Sequence, residues 1–189
     1  MKTEKEKMLS GEMYNPLNKV LLKERRAARL LLKALNDCRE DDFAKKDQIV
    51  RQLMPNAGNG CWIQTPFFCD YGYNLHVGEK VFFNFNCTIL DVMPVKIGNR
   101  TFFGPNVQVY TAIHPLHVAE RAAGLESAKP VVIGEDCWIG GGAIICPGVT
   151  IGDRTVVGAG SVVTKDLPSD VLAVGNPCRV IRALNETDV

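Results

Sequence analysis

From residue 71 onward, large apolar side chains recur every six residues. They stand at Tyr71, Val77, Phe83 and Ile89, slip by two, and resume at Ile97, Phe103 and Val109. After a long gap the period returns and holds without error through Ile133, Ile139, Ile145, Ile151, Val157 and Val163. The next position is mostly glycine or asparagine, as at Gly72, Gly78, Asn84, Gly98, Gly140 and Gly158. Four residues after the apolar one stands a compact side chain, as at Val81, Cys87, Thr101, Cys137, Ala143 and Ser161. A six-residue period matches neither the helical period nor the two-residue alternation of a strand. It predicts a coil of triangular section: each hexad is one short strand and a corner, and three hexads close a turn. The apolar residue fills the interior, and glycine supplies backbone conformations that other residues avoid. Thirteen hexads predict a mainly β chain with just over four stacked coils.

The first 60 residues follow a different pattern. Thr3 with Glu6 has the form of a capping box, Pro16 suits a helix start, and Leu21, Leu22, Ala28, Leu31, Leu32 and Leu35 recur at near-helical spacing. Asp41 is a candidate cap for a further helix carrying Ile49, Val50 and Leu53, which the Pro55-Asn56-Ala57-Gly58 stretch ends. The expected organisation is a helical region over 1–60 and a β-helix over 61–189, with a protruding loop at 115–132 and a C-terminal cap at 168–189.

Composition narrows the function. With 189 residues, 46% of them hydrophobic, the chain can bury one substantial core. Its 22 Lys and Arg against 21 Asp and Glu leave a net charge of +1, so no nucleic-acid or membrane partner is expected. No apolar run reaches the roughly 18 residues of a spanning helix, and residues 1–7 are mixed-charge without a secretion-signal core, so a cytoplasmic location is expected. Seven cysteines with no Cys-x-x-Cys predict free thiols and no metal.

The repeat breaks between Val109 and Ile133. Long excursions from a regular solenoid tend to carry function. At the entrance of this one stands His114, in Tyr110-Thr111-Ala112-Ile113-His114-Pro115. A histidine at a rigid-to-loop junction suits proton transfer near neutral pH.

Longer stretches carry a family likeness. They include Gly11-Glu12-Met13-Tyr14, Cys69-Asp70-Tyr71-Gly72-Tyr73-Asn74, Asn84-Phe85-Asn86, Leu90-Asp91-Val92, Trp138-Ile139-Gly140-Gly141 and Gly175-Asn176-Pro177-Cys178-Arg179. Through them the chain resembles the maltose and galactoside O-acetyltransferases of the hexapeptide-repeat superfamily, most strongly the maltose type. The resemblance implies a left-handed parallel β-helix, a homotrimer with active sites between subunits, and direct transfer of acetyl from acetyl-CoA to a sugar hydroxyl, a primary 6-hydroxyl. It implies His114 as general base with Asn84 beside it. Asp70, Asp91 and Arg25 match acceptor-site positions, and Asn18 is the nearest equivalent of a family carboxylate missing here. On the donor side it implies Trp138 and Ala159 along the pantetheine path and Gly141 through its backbone N–H, where galactoside enzymes carry serine. Thr164 and Lys165 reach toward the cofactor. Arg179 and Arg182, which would share a face of a helix, pair with its phosphates.

Other readings stay open on the residues alone. The acceptor hydroxyl is alternatively that of a galactoside, a chitooligosaccharide, an antibiotic or serine. Three histidines, His76, His114 and His117, raise a zinc enzyme of the carbonic anhydrase kind, although their spacing does not match that family. A non-catalytic scaffold is the remaining alternative.

Overall fold

The structure, a computed structural model, describes residues 1–185. Three helices precede the solenoid. The first, α1 (Glu4–Leu9), opens on the expected capping box: the Thr3 hydroxyl accepts from the Glu6 N–H, and the Glu6 carboxylate accepts from the Thr3 N–H. The second, α2 (Lys19–Asn36), is capped by Asn18, so Pro16 lies outside it. The third, α3 (Phe43–Leu53), is capped by Asp42 rather than Asp41, whose carboxylate is taken by Arg39. Each cap satisfies an N–H that a helix start leaves without a partner. Leu32, Leu35, Ile49, Val50 and Leu53 on α2 and α3 form one core with Ile63, Phe67 and Leu75 of the first coils. The helices therefore close an end of the solenoid that would otherwise expose its apolar interior.

The solenoid has three parallel faces. Face I stacks Leu75–Val77, Val95–Ile97, Val131–Ile133 and Thr150–Ile151. Face II stacks Trp62–Ile63, Phe82–Phe83, Phe102–Phe103, Trp138–Ile139, Val156–Val157 and Val171–Val174, and ends with Arg179–Ala183 running antiparallel. Face III stacks Phe67–Cys69, Cys87–Leu90, Gln108–Tyr110, Ile144–Ile145 and Val162–Val163. The apolar hexad residues from Val77 to Val163 all point inward and are at most 4% exposed. Phe83 stacks on Phe103 at 4.8 Å between ring centroids and meets the edge of Phe67 at 5.4 Å. Buried hydroxyls at the compact positions are paired: Thr101 donates to the Gly134 carbonyl and Thr155 to that of Pro168.

The chain makes about six turns, more than the four that the hexad count predicts. Ala57, Ile63 and Cys69 already stand in register with Val77, Phe83 and Ile89, and Leu167 and Ala173 continue the stack beyond Val163. Tyr71 is six residues before Val77 but is not a wall residue; Cys69 holds that place. The glycine positions also differ from expectation. The glycine after each wall residue clears space rather than turning the chain: a Cβ on Gly140 would lie 2.5 Å from the Ala159 nitrogen of the next coil. Left-handed backbone falls three residues after the wall residue, at Lys80, Asn86, Arg100, Asn106, Asp136 and Arg154.

Every irregularity of the solenoid gathers on the corner between faces III and I. Cys69 to Val77 and Ile89 to Ile97 each take two residues more than a hexad, and the long loop follows Val109 on the same corner. Apolar residues from these inserts, Tyr71, Val92 and Ala128, form a second core with Met8, Tyr14 and Leu21 of the N-terminal segment. The N-terminal segment thus docks along the corner as well as the helices closing the end. Within the loop, Ala112–Ile113 pairs antiparallel with Ser127–Ala128 around α4 (Val118–Ala122). The last four residues of the cap expected over 168–189 lie outside the described residues. Among the described residues no helix is long and apolar enough to cross a membrane.

Candidate active site

The corner between faces III and I carries one cluster. The side chain of His114 is 56% exposed, and its Nε2 lies 3.8 Å from Glu126 Oε1. Glu126 is fixed by Tyr14: their backbones exchange hydrogen bonds at 2.9 and 3.1 Å, and the Tyr14 hydroxyl donates to Glu126 Oε2 at 2.6 Å. Burial, and then the carboxylate beside it, push the Tyr14 hydroxyl far above the usual phenol range. Sequence reasoning assigned neither residue a role, because Glu126 falls inside the aperiodic loop and Tyr14 outside any helix.

Arg25 on α2 completes this side. It donates to the Pro16 carbonyl at 2.6 Å, and its guanidinium stands 5.9 Å from the Tyr71 ring centroid. Burial raises the Asp70 carboxyl above its ordinary range, Arg25 opposes that rise, and Glu126 adds to it. Asn18 is not a free ligand: its side-chain oxygen accepts from the Val20 N–H at 2.9 Å as the helix cap. Asp91, expected among the acceptor-binding residues, is 0% exposed. Its Oδ1 accepts from the N–H groups of Asp70 and Tyr71, each at 2.9 Å, and its Oδ2 from that of Gly72 at 2.7 Å. The extra residues of the insert turn this carboxylate into the protein, where no acceptor molecule reaches it.

Two stability predictions arise here. Burial outweighs the three N–H donors and pushes the Asp91 carboxyl up to about 7. A carboxyl raised in the fold adds stability that is complete below its unfolded pKa and is lost as pH rises through the folded value. The urea midpoint is therefore expected to fall between about pH 4 and pH 7, and the slope to flatten in Asp91→Asn, which cannot ionise. Tyr71 is 3% exposed, and its hydroxyl has no hydrogen-bond partner among the described residues. An unpaired buried hydroxyl costs about 1–3 kcal/mol, so Tyr71→Phe is expected to raise the thermal midpoint. An unchanged or lower midpoint would show that the hydroxyl is paired in solution.

A second cluster lies across face III, along the corner between faces II and III. The Asn84 side-chain oxygen accepts from the Phe85 N–H at 2.8 Å, and its Nδ2 has no acceptor among the described residues. The left-handed residue of this corner is Asn86, so Asn84 is not there as a turn former. Asn84 lines a cavity of about 460 Å³ with Phe82, Phe102, Gly104 and Trp138. Higher on the same corner, the Gly141 carbonyl accepts from the Gly160 N–H beside Ala159, while the Gly141 N–H has no acceptor among the described residues. Arg179 and Arg182 lie on a strand, not a helix. Residues three apart on a regular strand face opposite sides. Here Leu172 pairs with Arg182 and Ala173 with Val180, and the extra residue, Ile181, returns both arginines to one face. Thr164 and Lys165 do not join this cluster. They follow Val163 and stand, exposed, on the His114 corner.

Residues 7–58 match the maltose acetyltransferase hexapeptide capping motif, and residues 130–165 match the bacterial transferase hexapeptide (six repeats). Nodulation protein L of Rhizobium meliloti is 49% identical over 179 residues, which cover 95% of this chain and 98% of that protein. The crystal structure of a maltose O-acetyltransferase from Clostridium difficile 630 is 50% identical, with a TM-score of 0.96 over 98% of this chain and 99% of that one. The chain belongs to the maltose and galactoside O-acetyltransferases. A galactoside acetyltransferase solved in complex with coenzyme A is 36% identical, with a TM-score of 0.96 over 100% of this chain and 94% of that one.

Six of the seven thiols of this acetyltransferase are not poised as nucleophiles. Burial pushes Cys61 up to about 12 and Cys87 up to about 11, and raises Cys69, Cys137, Cys146 and Cys178 as well. His76 points outward from face I, His117 stands at the start of α4 without a side-chain capping hydrogen bond, and no cluster of three metal-ligating side chains occurs among the described residues.

Proposed function

We propose that this O-acetyltransferase takes acetyl from acetyl-CoA and places it on a sugar hydroxyl, the primary 6-hydroxyl of a maltose- or glucose-type acceptor, by direct transfer with His114 as general base. The observation that carries this reading is the division of the expected site between two corners of one prism face. His114, Glu126, Asp70, Arg25, Thr164 and Lys165 flank one side of face III. Asn84, Gly141, Ala159 and Trp138 flank the other, and both arginines lie on adjoining face II. Face III presents Phe68, Ile144 and Val162 outward beside Thr88 and Gln108, face II presents Trp62, Phe82, Phe102 and Trp138, and face I presents His76, Lys96, Val132 and Thr150, so the choice of face III as the inner one rests on the two corners that flank it. Three copies arranged with face III inward bring the His114 corner of one against the Asn84 corner of the next, closing the ring as a trimer. The absence of a spanning helix among the described residues agrees with a cytoplasmic enzyme.

Acetyl-CoA supplies the acyl group as a thioester. The exposed Trp138 offers an aromatic wall for its pantetheine arm, the unpaired Gly141 N–H a donor for the thioester carbonyl, and the two arginines a paired cationic end for phosphates. On the acceptor side, Asp70 and Arg25 hold sugar hydroxyls. His114 takes the proton of the attacking hydroxyl and returns it to the departing sulfur. Glu126, fixed by Tyr14, faces the imidazolium formed in between and stabilises it, as a carboxylate does in hydrolytic triads. With the thiols of the solenoid held protonated by burial, direct transfer is favoured over a covalent acetyl-enzyme.

The test is thiol release from acetyl-CoA with maltose, glucose, galactosides, chitooligosaccharides, serine and chloramphenicol as acceptors. Turnover with maltose and glucose above the rest is expected. Coenzyme A binding without sugar turnover would keep the donor half and overturn the acceptor assignment.

A further inference from the structure

We infer that Asp91 is a positioning residue for acceptor binding, whose carboxylate sets the Asp70-Tyr71-Gly72 strap and so holds Asp70 in place relative to His114. The inference rests on the assignment of Asp70 to the acceptor site. Three successive N–H groups converge on this one fully buried carboxylate. Such a ring of backbone donors fixes the direction in which each residue's side chain leaves the chain. Gly72 is forced into the tight turn that results: its φ is +77°, and a Cβ there would collide with the Leu53 carbonyl of α3. The strap therefore has a defined shape, and Asp70, its first residue, stands within range of the charges of Arg25, Glu126 and Arg29.

The insert that carries Asp91 is itself clamped from the histidine side. Thr111, three residues before His114 and fully buried, donates through Oγ1 to the Leu90 carbonyl at 2.6 Å and accepts from the Met93 N–H at 3.1 Å. The Asp91 carbonyl in turn accepts from Asn74 Nδ2 at 2.8 Å. The three inserts on the corner thus form one ladder. The His114 limb grips the Asp91 insert, and Asp91 grips the Asp70 strap. The extra residues that interrupt the hexad period are what place base and acceptor-binding carboxylate in a common frame. Burying this carboxyl group has a cost, and the three donors recover part of it by engaging both of its oxygens, which an amide of the same shape, with one oxygen, does not do.

The experiment measures KM for maltose and for acetyl-CoA in Asp91→Asn, in Asp70→Ala and in the double variant. Asparagine presents an NH2 group where one backbone N–H needs an acceptor, so the strap loosens. The expected result is an acceptor KM raised about tenfold in each single variant, an unchanged acetyl-CoA KM, and a double variant no worse than Asp70→Ala alone. If Asp91→Asn does not give folded protein, Asp91→Glu keeps the charge but displaces it by one methylene, and the same pattern is expected. Losses that add in the double variant would overturn the inference, because Asp91 would then act independently of Asp70. So would an Asp91 variant with unchanged acceptor KM beside an impaired Asp70→Ala. An unchanged KM in Asp70→Ala itself would remove the acceptor assignment, and the inference with it.

Discussion

Replacing His114 by alanine is expected to lower kcat by about 10²–10⁴-fold and to leave assembly and acetyl-CoA affinity unchanged. The imidazole is 56% exposed and stands at the mouth of the loop, so little packing is lost with it. The loss falls on proton transfer, and added imidazole is expected to restore part of the rate. Glu126→Gln keeps the shape of its side chain and removes the charge that faces the imidazolium, so a smaller loss is expected, again in kcat. Steady-state kinetics with maltose, beside calorimetric titration of coenzyme A, separates the two effects. Full activity in His114→Ala would take the histidine out of the chemistry.

The largest effect on stability is expected at Phe83. Its ring is 0% exposed and stacks on Phe103 while meeting the edge of Phe67. Phe83→Ala opens a cavity in the centre of the solenoid, at a cost of about 3–5 kcal/mol. The neighbouring coils relax little around such a cavity, because the backbone of each is paired in register with the coils on both sides. Phe83 is also the wall residue from which Asn84 leaves the coil, so the same substitution loosens the Asn84 corner. A urea titration that reports a much smaller shift would mean that the stack collapses into the space.

The period of the solenoid was legible because the interior admits one wall residue per hexad, and from Val77 onward those residues are strongly apolar. Its first turn was missed because Ala57 and Cys69 are weak markers, while Tyr71, at six-residue spacing from Val77 by coincidence, masked the two-residue insert. The parts of the site on regular corners, Asn84, Gly141 and Ala159, stand on one edge as the repeat implies. The parts on the inserts were harder to read. A carboxylate at a corner looks solvent-facing in sequence, and nothing in Leu90-Asp91-Val92 says that the added residues turn Asp91 inward. Asn18 had the composition of a ligand and the position of a cap. Glu126 and Tyr14 meet only because the N-terminal segment docks on the loop, a long-range contact with no periodic trace. Arg179 and Arg182 share a face through a bulge, a device that neither helical nor strand spacing reveals.

On the proposed trimer, each active site is expected to be made by two copies, one supplying His114 and the other Asn84. The test mixes His114→Ala chains with Asn84→Ala chains, each expected to be strongly impaired because the Asn84 side-chain amide, which has no acceptor among the described residues, is assigned to the acceptor beside His114, then unfolds them together and lets them reassociate. Random trimers then place an intact His114 corner against an intact Asn84 corner in about one quarter of the sites. Activity is expected to return toward that fraction of wild type, while each variant refolded alone stays strongly impaired. A mixture as impaired as its parts, with mixed trimers verified by mass, would contradict the claim and place both residues of each working site on a single chain.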